Sequence, residues 1–84
     1  MMLYFQLSLM NGEEVTLKAI GRKLKELRIQ KGYSSYEAFA VAHDLGRVQY
    51  WRLERGEANF TIRTLLNVLE IHNMTLKDFF SEGI

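Results

Sequence analysis

Residues Ser35–Gly56 read SYEAFAVAHDLGRVQYWRLERG, and the fold turns on how this stretch divides. Ser34-Ser35 offers an N-cap, and the residues that follow, to about Ala42 and including Phe39 and Ala40, suit a short helix. His43-Asp44-Leu45-Gly46 is a brief break. A second helix runs from about Arg47 to Arg55 and stops at Gly56. At about 100° per residue, Leu53 and Tyr50 fall at about 240° and 300°, the side that would face a core. Arg47, Trp51, Arg55, Val48 and Arg52 fill the arc from 0° to about 140°, and no acid interrupts it. An exposed helix face normally mixes signs. This arc suits a groove-reading surface, because Arg pairs bidentately with guanine and Val can meet a thymine methyl; an ordinary cationic surface is the competing reading.

Upstream, Leu17, Ile20, Leu24 and Leu27 are spaced three and four apart, which predicts an amphipathic helix from Thr16 to Lys31-Gly32. Downstream, Asn59-Phe60-Thr61 opens a helix whose Ile62, Leu65, Leu66, Val68 and Leu69 give a broad apolar face ending at His72-Asn73. Thr75 caps a last short helix bearing Leu76, Phe79 and Phe80. Leu3, Phe5, Leu7 and Leu9 alternate with polar or aromatic residues at strand period. With the Asn11-Gly12 turn signal they would form a hairpin back through Val15, or else a frayed extension ahead of Met10; the two readings weigh equally. The expectation is therefore an all-α domain of five helices over 16–84, preceded by an apolar arm over 1–15 that includes a short strand or a frayed end.

The chain has 84 residues and no cysteine, enough for one domain and incompatible with a disulfide framework or a thiolate site. Its net charge of +1 hides an asymmetry. Residues 17–56 hold nine cations against four anions, while both flanks are acidic. A basic middle of this kind fits a face that meets a polyanion; the alternative is a solvated helix face, the better reading for the first helix taken alone. No apolar run approaches the roughly 18 residues of a membrane span, and the N-terminus lacks the basic region and cleavage site of a signal peptide, so a cytoplasmic protein is expected. His43 and His72 have no carboxylate or thiol at metal-ligand spacing and read as partly buried core or interface histidines. Glu13-Glu14 read as solvated charge. The six glycines are scattered, and no Ser/His/Asp order marks a nucleophile. No enzymatic activity, cofactor or metal is expected.

From Ser35 to Gly56 the chain resembles the Cro/repressor-like helix-turn-helix family of the xenobiotic-response-element type, matching its pattern in register at Ser35, Ala40, Glu54 and Gly56, with Phe39 for Leu and Leu45 for Val. The flanking IGRKLKELRIQKG and TIRTLLNVLEIHNMTLKDFF look like that family's first, fourth and fifth helices. The resemblance implies a lambda-repressor-like fold and a homodimer on double-stranded DNA, with half-sites about one helical turn apart. It puts Arg47, Val48 and Arg52 at base edges, with Gln49 at the rim. Tyr36, Arg55 and the backbone near Gly56 would meet phosphate, with Arg22 and Lys23 as weaker candidates. Arg28 and Glu54 would form a structural ion pair. Several positions depart from the pattern. Tyr36 stands for glutamine, Asp44 for the turn glycine, Gly46 for a capping serine and Tyr50 for a core isoleucine, and one residue is inserted at Tyr33-Ser34-Ser35. Trp51 replaces a small residue, and three roles compete for it: stacking on sugar or bases, blocking the usual docking, or serving a protein interface. Dimer contacts would come from Met1–Met10, Phe60 or the Phe79-Phe80 end. The rival functions are a protein-interaction module, antitoxin-like or adaptor, and a purely structural dimer.

Overall fold

A computed structural model describes residues 12–57 and 60–81. The chain forms five α-helices: α1 (Gly12–Gln30), α2 (Tyr36–Ala42), α3 (Arg47–Arg55), α4 (Ile62–Ile71) and α5 (Leu76–Ser81). Among the described residues there is no strand. The expected strand at Leu3–Leu9 lies outside them. The expected hairpin return through Val15 does not form, because Gly12–Thr16 already belong to α1. Glu13 and Glu14 in the first turn of α1 explain the earlier start, since carboxylates are favoured where the helix dipole leaves unpaired N–H groups.

Helix ends are set by one recurring device. After α1, α2, α3 and α4 a single residue turns left-handed: Gly32 (φ 102°), Asp44 (φ 57°), Gly56 (φ 68°) and Asn73 (φ 56°). Each time the following amide reaches back five residues in the Schellman pattern: Tyr33 to the Arg28 carbonyl, Leu45 to Ala40, Glu57 to Arg52 and Met74 to Leu69. Tyr33, Leu45 and Met74 then fold onto the core, so three of the four reversals are also packed. Asp and Asn are the non-glycine residues that best tolerate this backbone, which is why Asp44 can occupy a turn without glycine. Helix starts use side-chain caps where the sequence supplies them. Ser35 Oγ accepts from the Ala38 amide at 3.0 Å, and Thr61 Oγ1 from Thr64 at 3.2 Å. Thr75 and Asp78 cap α5 reciprocally at 3.1 Å each way. Gly46 opens α3 with no side-chain bond.

The core gathers one face from every helix: Ile20 and Leu24 of α1, Phe39 and Ala40 of α2, Tyr50 and Leu53 of α3, Leu65, Val68 and Leu69 of α4, and Phe79 of α5. Phe39 is its hub. Its ring meets Tyr33 at 5.3 Å, Tyr50 at 5.0 Å, His43 at 4.7 Å and His72 at 5.4 Å, the last nearly parallel. The apolar face expected on α4 splits. Leu65, Val68 and Leu69 are buried, while Ile62 and Leu66 remain 60% and 43% exposed. No helix is long and apolar enough to cross a membrane among the described residues.

α1 packs most extensively on α3, and glycine makes this possible. A Cβ on Gly21 would stand 2.5 Å from the backbone oxygens of Leu53 and Glu54, and one on Gly56 would stand 2.6 Å from Lys18 Cα. Backbone meets backbone at both points, so no rotamer change can relieve the clash. Gly21→Ala is expected to destabilise the fold by about 2 kcal/mol, after the roughly 1 kcal/mol that alanine gains in a helix interior. Gly12→Ala, which meets nothing within 4 Å, is the control and should be neutral. Urea denaturation of both variants checks this; equal midpoints would remove the close approach as a constraint.

Candidate nucleic-acid interface

The candidate surface is the outward side of α3 together with the start of α2. α3 has nine residues, too few to be stable alone, so its orientation comes from what its inner side grips. Tyr50 and Leu53 are buried, as the helical spacing requires. Beside them Arg28 of α1 donates from Nε to Glu54 Oε2 at 2.8 Å and from Nη2 to Oε1 at 3.2 Å, and its Nη1 donates to the Tyr33 carbonyl at 2.8 Å. Arg28 is 4% exposed, so the pair lies in the interior with its hydrogen-bonding capacity well used. The Tyr50 hydroxyl is shielded from water without a hydrogen bond of its own. Burial pushes its proton affinity well above the ordinary tyrosine value, and the nearby Glu54 carboxylate adds to the shift.

With the inner side fixed, Arg47, Val48 and Arg52 project outward while Gln49 stands at the rim beside Tyr50 and Leu53; all four are exposed, Val48 by 66%. No acid lies among them. Trp51 is half-buried on the same surface. The Arg55 guanidinium carbon stands 4.7 Å from the centre of the Trp51 ring, and Tyr36, at the first turn of α2, approaches that ring at 6.2 Å and 37°. Arg55 Nε also donates to Glu57 Oε2 at 2.6 Å. The arc is therefore free of acid along α3 but bounded by one from the turn beyond it. Glu57 escaped the helical-wheel reading because it lies past the helix; the left-handed Gly56 brings it back beside Arg55. Tyr36 escaped as a neighbour of Trp51 because it belongs to another helix.

The remaining candidates differ in kind. Gly56 donates its amide to Leu53 and the Glu57 amide goes to Arg52, so both N–H groups are used in ending α3. The contribution of Gly56 is the turn that returns Glu57. Arg22 is exposed and Lys23 half-buried on α1, next to the contact made by Gly21.

His43 and His72 take no part in this surface. Both rings touch Phe39, and both Nε2 atoms are shielded without a partner. No group of three His, Cys, Asp or Glu side chains that could hold a metal is present among the described residues. Compared with known protein families, curated proteins and solved structures, the chain matches none.

Two outcomes follow. Removing one member of the buried pair, as in Arg28→Met or Glu54→Leu, should cost about 3–5 kcal/mol, and the double replacement distinctly less than the sum. A double-mutant cycle in urea measures this; additive costs would mean the two groups act independently. For pH, burial lowers the proton affinity of His72 below its ordinary 6.5, with the charges of Lys31 and His43 adding to the effect. Between the lowered value and 6.5 the unfolded chain then binds more protons than the folded one. Stability contributed by neutral His72 is thus complete above about pH 6.5 and declines as pH falls toward the lowered value. His72→Phe should flatten this part of a stability curve measured from pH 7.5 to 5.

Proposed function

We propose that the chain is a sequence-specific DNA-binding transcriptional regulator of the cytoplasm that inserts α3 into the major groove. The observation that carries this reading is the outward side of α3, where Arg47, Val48, Gln49 and Arg52 stand exposed and unopposed by acid on a helix whose inner side is locked by Tyr50, Leu53 and the Arg28–Glu54 pair. Base readout needs side chains held in register with base edges, and such a helix supplies that. The resemblance to lambda-repressor-like helix-turn-helix domains agrees with the order of elements, a short helix and a brief turn followed by the outward-facing helix. In this reading Arg47, Val48, Gln49 and Arg52 address bases, while Tyr36 and Arg55 address phosphate, with Arg22 and Lys23 at the periphery.

A homodimer is part of the proposal. Of the segments expected to make its contacts, Phe79 is fully buried and excluded, and Phe60 is half-buried against the core. Ile62, Leu66 and Phe80 remain exposed and offer apolar area for a second copy. The same residues favour the second reading, a protein-interaction module, because a partner protein can use that area as well as a second copy can.

The deciding experiment is equilibrium binding to duplex DNA across a salt series. A DNA reader should weaken steeply as salt rises, by about 0.9 in the log–log slope for each phosphate neutralised. Arg52→Ala should relax preference at one base position, whereas Arg55→Ala should weaken all sequences alike. Absence of duplex binding at low salt would falsify the proposal and leave the interaction module.

A further inference from the structure

We propose that Trp51 and Glu57 are positioning residues that orient the Arg55 guanidinium so that its two terminal nitrogens meet a DNA phosphodiester end-on. The proposal rests on the DNA-binding reading above. A guanidinium has two faces, an Nε edge and a terminal edge with Nη1 and Nη2. In Arg55 the guanidinium carbon lies over the Trp51 ring at 4.7 Å from its centre, and the Nε edge is taken by Glu57 at 2.6 Å. Among the described residues the terminal edge makes no hydrogen bond, and the side chain is half-exposed. What remains open is the planar, two-pronged edge that matches a phosphate oxygen pair.

Trp51 is in turn approached by the Tyr36 ring, whose centre lies 6.2 Å away. Tyr36, Trp51, Arg55 and Glu57 thus form a continuous chain from the first turn of α2 to the turn after α3. Trp51 has little freedom to insert between bases while it serves in this chain, and its half-buried ring is a platform and not a probe. An arginine braced on two sides loses less rotamer freedom on binding than a free one. The competing account makes Glu57 a counter-ion that a phosphate must displace. The two accounts differ in sign, since removing a competitor strengthens DNA binding and removing a brace weakens it.

The test is anisotropy of a labelled random duplex with the full chain, using Trp51→Leu, Trp51→Phe, Glu57→Ala and Arg55→Ala, with circular dichroism melting to verify folding. Trp51→Leu should weaken binding about tenfold in the wild-type background and less than about twofold when Arg55 is already alanine, the signature of acting through Arg55. Trp51→Phe, which keeps an aromatic face and guards against loss of fold, should restore most of the affinity. Glu57→Ala should weaken binding despite removing a negative charge. Equal cost of Trp51→Leu in both backgrounds, or tighter binding by Glu57→Ala, overturns the proposal while leaving DNA binding intact. Wild-type protein that binds no duplex overturns the functional reading and this inference with it.

Discussion

The Arg28–Glu54 pair is the constraint on which the remaining geometry depends. It joins the last turn of α1 to α3 through two hydrogen bonds and holds the loop before α2 through the Tyr33 carbonyl. A buried ion pair is a poor source of net stability, because taking two charges out of water costs about as much as their attraction returns. What it supplies is geometry. Glu54 can reach Arg28 in only one rotation of α3 about its axis, and that rotation turns Arg47, Val48 and Arg52 outward. Hydrophobic burial alone would tolerate some rolling of a nine-residue helix, since Tyr50 and Leu53 are its only buried residues. The charged pair does not, because a small roll would leave a buried carboxylate without its partner.

The two glycine contacts work with this pair. Gly21 lets α1 come onto the carbonyls of Leu53 and Glu54, and Gly56 lets the end of α3 come onto Lys18. They act on either side of Glu54, so distance and rotation are fixed at the same place. Sequence alone could hold only part of this. Gly56 was legible because glycine after a helix has a local backbone reason, a left-handed φ, and Gly32 was legible on the same ground. Gly21 was not. Within α1 it reads only as a weak helix former, and its reason for being there is a backbone segment much later in the chain. The start of α1 was misjudged for a related cause. A turn signal at Asn11-Gly12 competes with two glutamates suited to a helix N-terminus, and local pattern gives no rule for which prevails.

On the candidate surface the division is similar. Period alone placed Tyr50 and Leu53 inside and Arg47, Val48 and Arg52 outside, because a helix fixes relative directions whatever surrounds it. It could not place neighbours from other segments. The role of Trp51 stayed open in the sequence because the two contacts that define its surroundings come from Tyr36, one helix earlier, and from Arg55, whose own orientation depends on Glu57 beyond the turn. Ile62 and Leu66 show the converse error. Leu66 sits at the edge of the apolar arc, and Ile62, on the same side as the buried Leu69, is exposed in the first turn of the helix, so a pattern read as a single face divides into buried and exposed parts.

The exposed arginines of α3 carry information because the fold has no use for them. Like charges one turn apart on a helix are unfavourable by a few tenths of a kcal/mol per pair, and Arg52 and Arg55 stand at that spacing while Glu54, the acid between them in sequence, is turned inward to Arg28. Acidic partners at other outward positions would have relieved this repulsion without touching the core. Among the described residues the side chains of Arg47 and Arg52 make no hydrogen bond or ion pair, whereas Arg28 is fully engaged and Arg55 is braced. The helix thus separates arginines that organise the protein from arginines that face away from it. Water alone can solvate the second set; under the proposed function they meet an anionic partner, and a polyphosphate backbone with guanine edges in its groove suits the same side chains.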